Sequence, residues 1–205
     1  MNGMNGLRWG IEAEFSGLVF GVDEVGRGPL AGPVTAAAAA LSAAGVPDGL
    51  GDSKRVSRTL RETIAAGLQQ VEIAESTVAE IDELNILRAS HLAMVRAVLA
   101  LARRLGPPAM VLVDGNLLPD FGFPARAIVK GDATVASIAA ASIAAKVARD
   151  ARMAELDALF PGYGWARNMG YPTAEHLTAL ETLGVTPHHR RSFRPVAEKI
   201  AKAGN

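Results

Sequence analysis

The chain has 205 residues, 49% apolar and 20% charged, and no cysteine. That is enough for one domain with a sizeable core, and it excludes a disulfide scaffold, a Cys-ligated zinc centre, an iron–sulfur cluster and a thiol nucleophile. Lys plus Arg and Asp plus Glu are 21 each, so no net basic field marks a nucleic-acid binder.

Residues 1–16 carry no basic stretch followed by an apolar run, so they are expected to be a loosely held arm and not a signal peptide. Leu18–Asp23 (LVFGVD) reads as a buried strand ending in a glycine-rich turn. Pro33–Leu41 is a second candidate strand despite its alanine content. The Ala-rich stretch 31–46, broken by Gly32, Pro33 and Gly45, is too short and interrupted to span a bilayer, so no membrane association is expected and a cytoplasmic location is. Asp52–Ser57 is a polar loop, with Ser57 placed to cap a helix over Arg58–Leu68. Val71–Ser76 reads as a third strand. Ile81–Leu105 has helical periodicity, with Leu84, Leu87, His91, Met94, Val95, Val98, Leu99 and Ala102 near one face, and Gly106-Pro107-Pro108 stops it. Met110–Asp114 (MVLVD) is a clear strand and Ala127–Val129 a short one. Val135–Leu159 is a long Ala-rich helix. Thr173 caps a helix to about Leu183, and Pro195 starts the last one. Strands come first and helices gather late, which predicts an α/β core of about five strands with a helical subregion after residue 160.

Acids stand where these strands run out. Asp23 and Glu24 end the first, Asp114 ends the MVLVD strand, and Asp132 follows AIVKG. Ligand sites of α/β folds lie at such strand ends, and an acid at the end of an apolar strand is costly unless something pairs with it. Each alone is explained as a turn-initiating residue. As a set they suit hard divalent ions such as Mg²⁺ or Mn²⁺, which take oxygen ligands. Neighbours in a strand point to opposite faces, so Asp23 and Glu24 share an ion only if the strand ends or twists there.

Charge is segregated along the chain. Residues 1–50 hold five acids and two bases, 51–61 one acid and four bases, and 186–205 one acid and five bases. That suits either a site binding cations beside a polyanion or a solvated surface. The turn VGRGPLAGP lacks both the P-loop and the GxGxxG patterns. Its Gly26 and Gly28 allow close backbone approach to a ligand, and Arg27 can pair with phosphate, or the segment is simply a tight turn. Lys54, Arg55 and Arg58 are phosphate-contact candidates. Lys146 and Arg149 are candidates too, or partners for Asp150 and Glu155. The run from His188 to Arg194 suits a nucleic-acid backbone or plain solvation. Tyr163, Trp165 and Tyr171 either stack on a base or sugar or form a small satellite core.

Seven blocks in order make the chain recognisable: GVDEVGRGPLAGPV (21–34), GDSKRVS (51–57), IDELNIL (81–87), VDGN (113–116), VKGDATVASIAAASIAAKVARD (129–150), GYGWARNMGYPTAEHL (162–177) and TPHHRRSFRPV (186–196). With these the chain resembles the type 2 ribonuclease H family, ribonuclease HII, in its bacterial form. The resemblance implies a ribonuclease H-like fold, a mixed sheet flanked by helices. It divides the chain into an arm (1–17), a catalytic core (18–160) and a helical substrate-binding subregion (161–205). It implies an endonuclease that hydrolyses RNA in RNA–DNA hybrids and cuts 5′ to single ribonucleotides in duplex DNA, leaving 5′-phosphate and 3′-hydroxyl ends. The alternative is an inactive nucleic-acid-binding protein of the same fold.

The family's catalytic carboxylates fall on Asp23, Glu24, Asp114 and Asp132, which would hold two divalent ions, Mg²⁺ or Mn²⁺, roughly 3.5–4 Å apart. Its ribose-reading turn falls on Gly26, Arg27 and Gly28, and its junction-sensing tyrosine on Tyr171. Lys54 and Lys146 carry over only as substrate-facing groups. Val56 stands where many relatives carry Leu. The expected partners are RNA–DNA hybrid and ribonucleotide-containing duplex DNA. No sliding-clamp motif is seen, the chain is too short for the extra N-terminal domain of the type 3 relatives, and a monomer is expected.

Overall fold

A β-branched and aromatic run, Val19–Val25 (β1), forms the centre of a five-stranded sheet. Val34–Ala40 (β2) pairs with it antiparallel, and Val71–Ser76 (β3) pairs antiparallel with β2. On the other side Met110–Asp114 (β4) runs parallel to β1, and Ala125–Ile128 (β5) runs parallel to β4. The order is β3-β2-β1-β4-β5, the five strands that the sequence pattern predicts in the mixed sheet that the family resemblance implies. This is a computed structural model, and it describes residues 7, 9–51, 53 and 56–203.

The helices, in chain order, are Arg58–Gly67 (α1), Val78–Leu84 (α2), Ile86–Leu105 (α3), Ala136–Leu159 (α4), Trp165–Asn168 (α5), Ala174–Leu183 (α6) and Arg194–Ala203 (α7). α3 and α4 cover opposite faces of the sheet. Phe20, Val22, Val111 and Val113 meet Ala93, Met94, Ala97 and Val98 of α3. Val19 and Leu112 meet Ile138 of α4. β2 is nearly all alanine and forms a strand because it is clamped between the two layers. Ala36, Ala38 and Ala40 face α3, while Ala37 and Ala39 face α4. Small side chains let both helices approach closely, so packing overrides a poor strand propensity.

Three expectations change. The single helix expected over Ile81–Leu105 is two helices broken at Asn85, which adopts φ 68°. Its Oδ1 accepts from the amides of Leu87 and Arg88 at 3.0 and 3.2 Å, capping α3. Thr77 and Glu80 start α2 with a reciprocal capping box. The strand expected at Ala127–Val129 lies at Ala125–Ile128. The arm is not loose from Gly10 onward. Ile11–Glu14 forms a 3-10 turn, and the buried Glu12 accepts from the Ser137 amide at 2.9 Å and its hydroxyl at 3.0 Å. α4 has no cap from its own N-cap residue, Val135, so Glu12 supplies that negative charge from the arm. Ser57 and Thr173 cap α1 and α6 as expected. α7 begins at Arg194, which puts Pro195 inside its first turn. Among the described residues no helix is long and apolar enough to cross a membrane.

Candidate active site

Sheet register brings the acids together. Val22 of β1 lies opposite Val113 of β4, so the next step places Asp23 beside Asp114 on the α4 face. Asp114 in turn pairs with Ile128 of β5, after which the chain turns through Lys130 (φ 57°) into Asp132. Asp114 Oδ1 ties that turn down, accepting from the amides of Gly131 at 2.7 Å and Asp132 at 3.3 Å. β1 does not end at Asp23. It runs on to Val25, so Glu24 projects from the opposite face. All four acids nevertheless line one cleft of about 260 Å³ at the C-terminal ends of the parallel strands. A larger hollow of about 360 Å³, lined by Ala40, Leu41, Ser42 and Gln70 among others, carries no ionisable side chain.

The cleft's electrostatics are those of crowded negative charge. Burial, then the neighbouring charges of Glu24 and Asp114, push the Asp23 pKa well above the ordinary carboxylate value, against a lowering hydrogen bond from Ser142. Burial also raises Glu24, partly offset by Arg27, whose guanidinium lies 3.3 Å from Glu24 Oε1. Lys146 lines the cleft but pairs with Asp150 at 2.7 Å, one of its two sequence-level alternatives. Among the described residues no three acidic or imidazole side chains are already drawn into a ligand set. An all-oxygen donor set whose most buried member resists ionisation fits a divalent cation, which would relieve the repulsion among the carboxylates.

Ser53 and Ser142 also line the cleft, their hydroxyls 3.0 Å apart. Sequence reasoning passed over both, although each lies inside a family-like block. Arg61 Nη1 holds the Ser53 loop through the carbonyls of Ser53 and Val56, at 2.7 and 2.6 Å. Lys54 lies outside the described residues, as does Arg55. The Gly26–Gly28 turn borders the cleft through Tyr171: a Cβ on Gly28 would lie 3.2 Å from the Tyr171 ring. Tyr171 is 44% exposed, so its ring is open to a ligand.

Several basic and aromatic candidates prove internal. Arg149 is buried and donates to the carbonyls of Pro33, Met169 and Ala31 at 3.1, 3.0 and 3.3 Å. Arg190 is equally buried, and its pKa falls to about 9 through burial and then the neighbouring Arg149 charge, so it remains a cation at neutral pH. Neither guanidinium is available to phosphate. Arg191 and Arg194 remain exposed. Tyr163 and Trp165 take the satellite-core alternative, stacked at 4.9 Å.

His176 and His189 are buried there too, and their hydrogen bonds fix both tautomers. The Thr186 amide donates to His189 Nδ1 at 3.0 Å, so neutral His189 carries its proton on Nε2. That proton goes to His176 Nε2 at 3.1 Å, which also accepts from Trp165 Nε1 at 3.0 Å. His176 must then donate from Nδ1 to the Tyr171 carbonyl at 3.0 Å. An added proton on His176 Nε2 would meet two donors, and one on His189 Nδ1 would oppose the Thr186 amide with only the Thr186 hydroxyl, at 2.9 Å, to accept it; burial lowers both pKa values, that of His189 to about 3. Below pH 6.5 the unfolded chain binds protons that the folded chain refuses, so stability falls as pH drops from about 6.5 toward 3. For His189 the unfolding free energy should fall by roughly 1 kcal/mol per pH unit, and the lowered His176 adds the same sign. Glu80, held at about 2 by Arg96, adds the same sign only below its ordinary value of 4.5, whereas the raised Asp23 and Glu24 carboxyls oppose it by taking up protons as pH falls, so the histidine contribution is read from the difference between wild type and a His189 variant, in which the carboxylates cancel. Urea titrations of wild type and His189→Gln from about pH 6.5 to about 5 should converge as pH falls; parallel curves would remove the effect from His189.

Comparison with known proteins defines the class first: a ribonuclease H-like fold. The chain superimposes on ribonuclease H2 from Pyrococcus horikoshii OT3 with a TM-score of 0.72 and 25% identity, covering 90% of this chain and 98% of that one. A structure of Bst-RNase HIII in complex with Mn²⁺ gives a TM-score of 0.73 over 92% of this chain and 70% of that one, at 19% identity, a likeness of fold alone. The family model for ribonuclease HII matches residues 20–196. Ribonuclease HII of Ruegeria pomeroyi is 58% identical over 182 residues, 87% of this chain and 76% of that protein. The chain belongs to the ribonuclease HII family. It is a type 2 ribonuclease H, a nuclease acting on RNA–DNA hybrids.

Proposed function

We propose that this ribonuclease cuts duplex DNA on the 5′ side of single embedded ribonucleotides as well as the RNA strand of hybrids, leaving 5′-phosphate and 3′-hydroxyl ends. The reading rests on one observation: Asp23, Glu24, Asp114 and Asp132 line one cleft with Tyr171, beside the Gly26–Gly28 turn. These four carboxylates would hold two divalent ions, Mg²⁺ or Mn²⁺. When bound, such ions supply Lewis-acid polarisation of phosphate oxygens and a water of lowered pKa.

The chain's own groups would do the rest. Asp114 would hold the Asp132 turn against β4 by accepting from the Gly131 and Asp132 amides. Backbone amides of the Gly26–Gly28 turn would hydrogen-bond the 2′-hydroxyl without reading a base. The exposed Tyr171 ring would pack on the sugar beyond the ribonucleotide. Lys146, tethered by Asp150, would face the phosphate backbone from α4. The segment 161–205 then serves as a substrate-binding subregion by carrying Tyr171. The Mn²⁺ in the Bst-RNase HIII structure is consistent with the choice of ion.

A labelled DNA duplex with one ribonucleotide tests the reading. With Mg²⁺ or Mn²⁺ a single cut 5′ to the ribonucleotide is expected, and none with chelator or on all-DNA duplex. Cleavage of long hybrid without the junction cut would sink the proposal while leaving the hybrid activity. Tyr171→Ala removes one stacking contact, about 1–3 kcal/mol, so kcat/KM at the single ribonucleotide should fall roughly tenfold to a hundredfold. Equal rates for both proteins in single-turnover assays would rule out its junction role.

A further inference from the structure

Arg190 is 0% exposed, yet among the described residues no carboxylate hydrogen-bonds it. Its donors go to backbone carbonyls instead. Nη2 reaches Gly26 at 2.6 Å and Pro33 at 3.1 Å, Nη1 reaches Arg27 at 3.1 Å, and Nε reaches Gly32 at 2.9 Å. Arg190 itself is anchored by its amide on the Leu30 carbonyl at 2.8 Å. One buried cation therefore fastens both ends of the segment 26–33 from beneath.

The consequence lies on the other side of the turn. A trans peptide is planar, and its carbonyl and amide point in opposite directions; no peptide here is cis. The Gly26 carbonyl shares its plane with the Arg27 amide, and the Arg27 carbonyl shares its plane with the Gly28 amide. With both carbonyls held inward on Arg190, both amide N–H groups face outward, where Arg27 and Gly28 are exposed. Neither amide donates a hydrogen bond within the described residues. Successive N–H groups presented this way form a concavity suited to an oxygen ligand. Gly26 is required for the same seat: at φ 94° its Cβ would lie 2.1 Å from Arg149 Nε.

We infer that Arg190 is a positioning residue for ribose selection, holding the Gly26 and Arg27 carbonyls inward so that the Arg27 and Gly28 amides are aimed at the 2′-hydroxyl. This rests on the ribose-reading role proposed above for the turn. It also gives the HHRRSF segment a task other than phosphate contact. A lysine would keep the charge but not the planar fork that reaches several carbonyls at once.

The test measures affinity, without turnover, for two duplexes that differ only in one 2′-hydroxyl: DNA with a single ribonucleotide and all-DNA. The ratio of dissociation constants cancels the fraction of folded protein, which a merely structural role would change for both. Arg190→Lys should lower the ribose preference about tenfold, as expected for misaimed donors to one hydroxyl, and leave all-DNA affinity unchanged. A wild-type preference that Arg190→Lys fully retains would overturn this inference alone. No ribose preference in wild type would overturn it together with the junction reading. Amide exchange followed by NMR in the wild-type chain keeps the inference open to refutation even if the variant does not fold. The Arg27 and Gly28 amides should exchange freely in the free protein and slow on adding the ribonucleotide duplex but not all-DNA. Amides already protected in the free protein would overturn the inference.

Discussion

Asp114→Asn should lower cleavage of an RNA–DNA hybrid by about a thousandfold or more, a loss of about 4 kcal/mol of transition-state stabilisation, while the protein stays folded and binds hybrid. Asn keeps an oxygen that can accept from the Gly131 and Asp132 amides, the two bonds Asp114 makes in the structure. What disappears is one negative charge from the cleft, and with it a ligand suited to a hard cation. Asp23→Asn should cost comparable activity but move stability the other way. Burial and its acidic neighbours hold the Asp23 pKa well up, so the folded chain binds a proton there more readily than the unfolded one. Ionisation therefore destabilises the metal-free fold as pH rises, and a neutral amide removes that cost. A higher thermal midpoint for Asp23→Asn in chelator at neutral pH, with activity lost in Mg²⁺, would mark a residue kept for function against stability. Single-turnover cleavage and fluorescence anisotropy with labelled hybrid make the measurement. An Asp114→Asn protein that still cleaves, or that folds but no longer binds, would count against the assignment.

The acids were legible because strand ends are written locally. An apolar run with an acid at its end, as in MVLVD, carries both the strand and the cleft-facing group in one stretch of sequence. The same holds for Ser57 and Thr173, whose caps act within three residues. Arg149 and Arg190 show where the reading stops. In sequence Arg149 looks like a phosphate contact or a partner of Asp150 or Glu155, and Arg190 like a phosphate contact or a solvated charge. Their partners are carbonyls 116 to 164 residues away along the chain, apart from Met169. A side chain gives no local sign that distant backbone will take up its donors. Asn85 was hidden for another reason: a left-handed residue can cap the next helix without disturbing the apolar periodicity on either side. Glu12 belongs with the arginines, because its partner Ser137 is 125 residues away.

Gly21→Ala should be the most damaging small substitution in the core, although it adds a single methyl group. A Cβ on Gly21 would lie 2.1 Å from the Ser137 carbonyl carbon, 2.3 Å from the Ile138 nitrogen and 2.4 Å from the Ser137 oxygen. These are backbone atoms of α4, so no rotamer change relieves the clash; the helix must move off the sheet. Overpacking of this kind typically costs about 1–3 kcal/mol and occasionally more, and the upper end is expected because the obstacle is backbone. The displacement also reaches the cleft, since Ser142 and Lys146 ride on the same helix and Asp23 is two residues along β1. Chemical denaturation should therefore show a lower midpoint, and residual folded protein should cleave hybrid more slowly than wild type. Ala93→Gly, within α3 on the opposite face, is the control: it loosens the core without pushing α4. It should lower stability by about 1 kcal/mol and leave cleavage per folded molecule intact. If Gly21→Ala left both stability and cleavage at the wild-type level, the close seating of α4 on β1, and with it the positioning of the cleft by this helix, would be wrong.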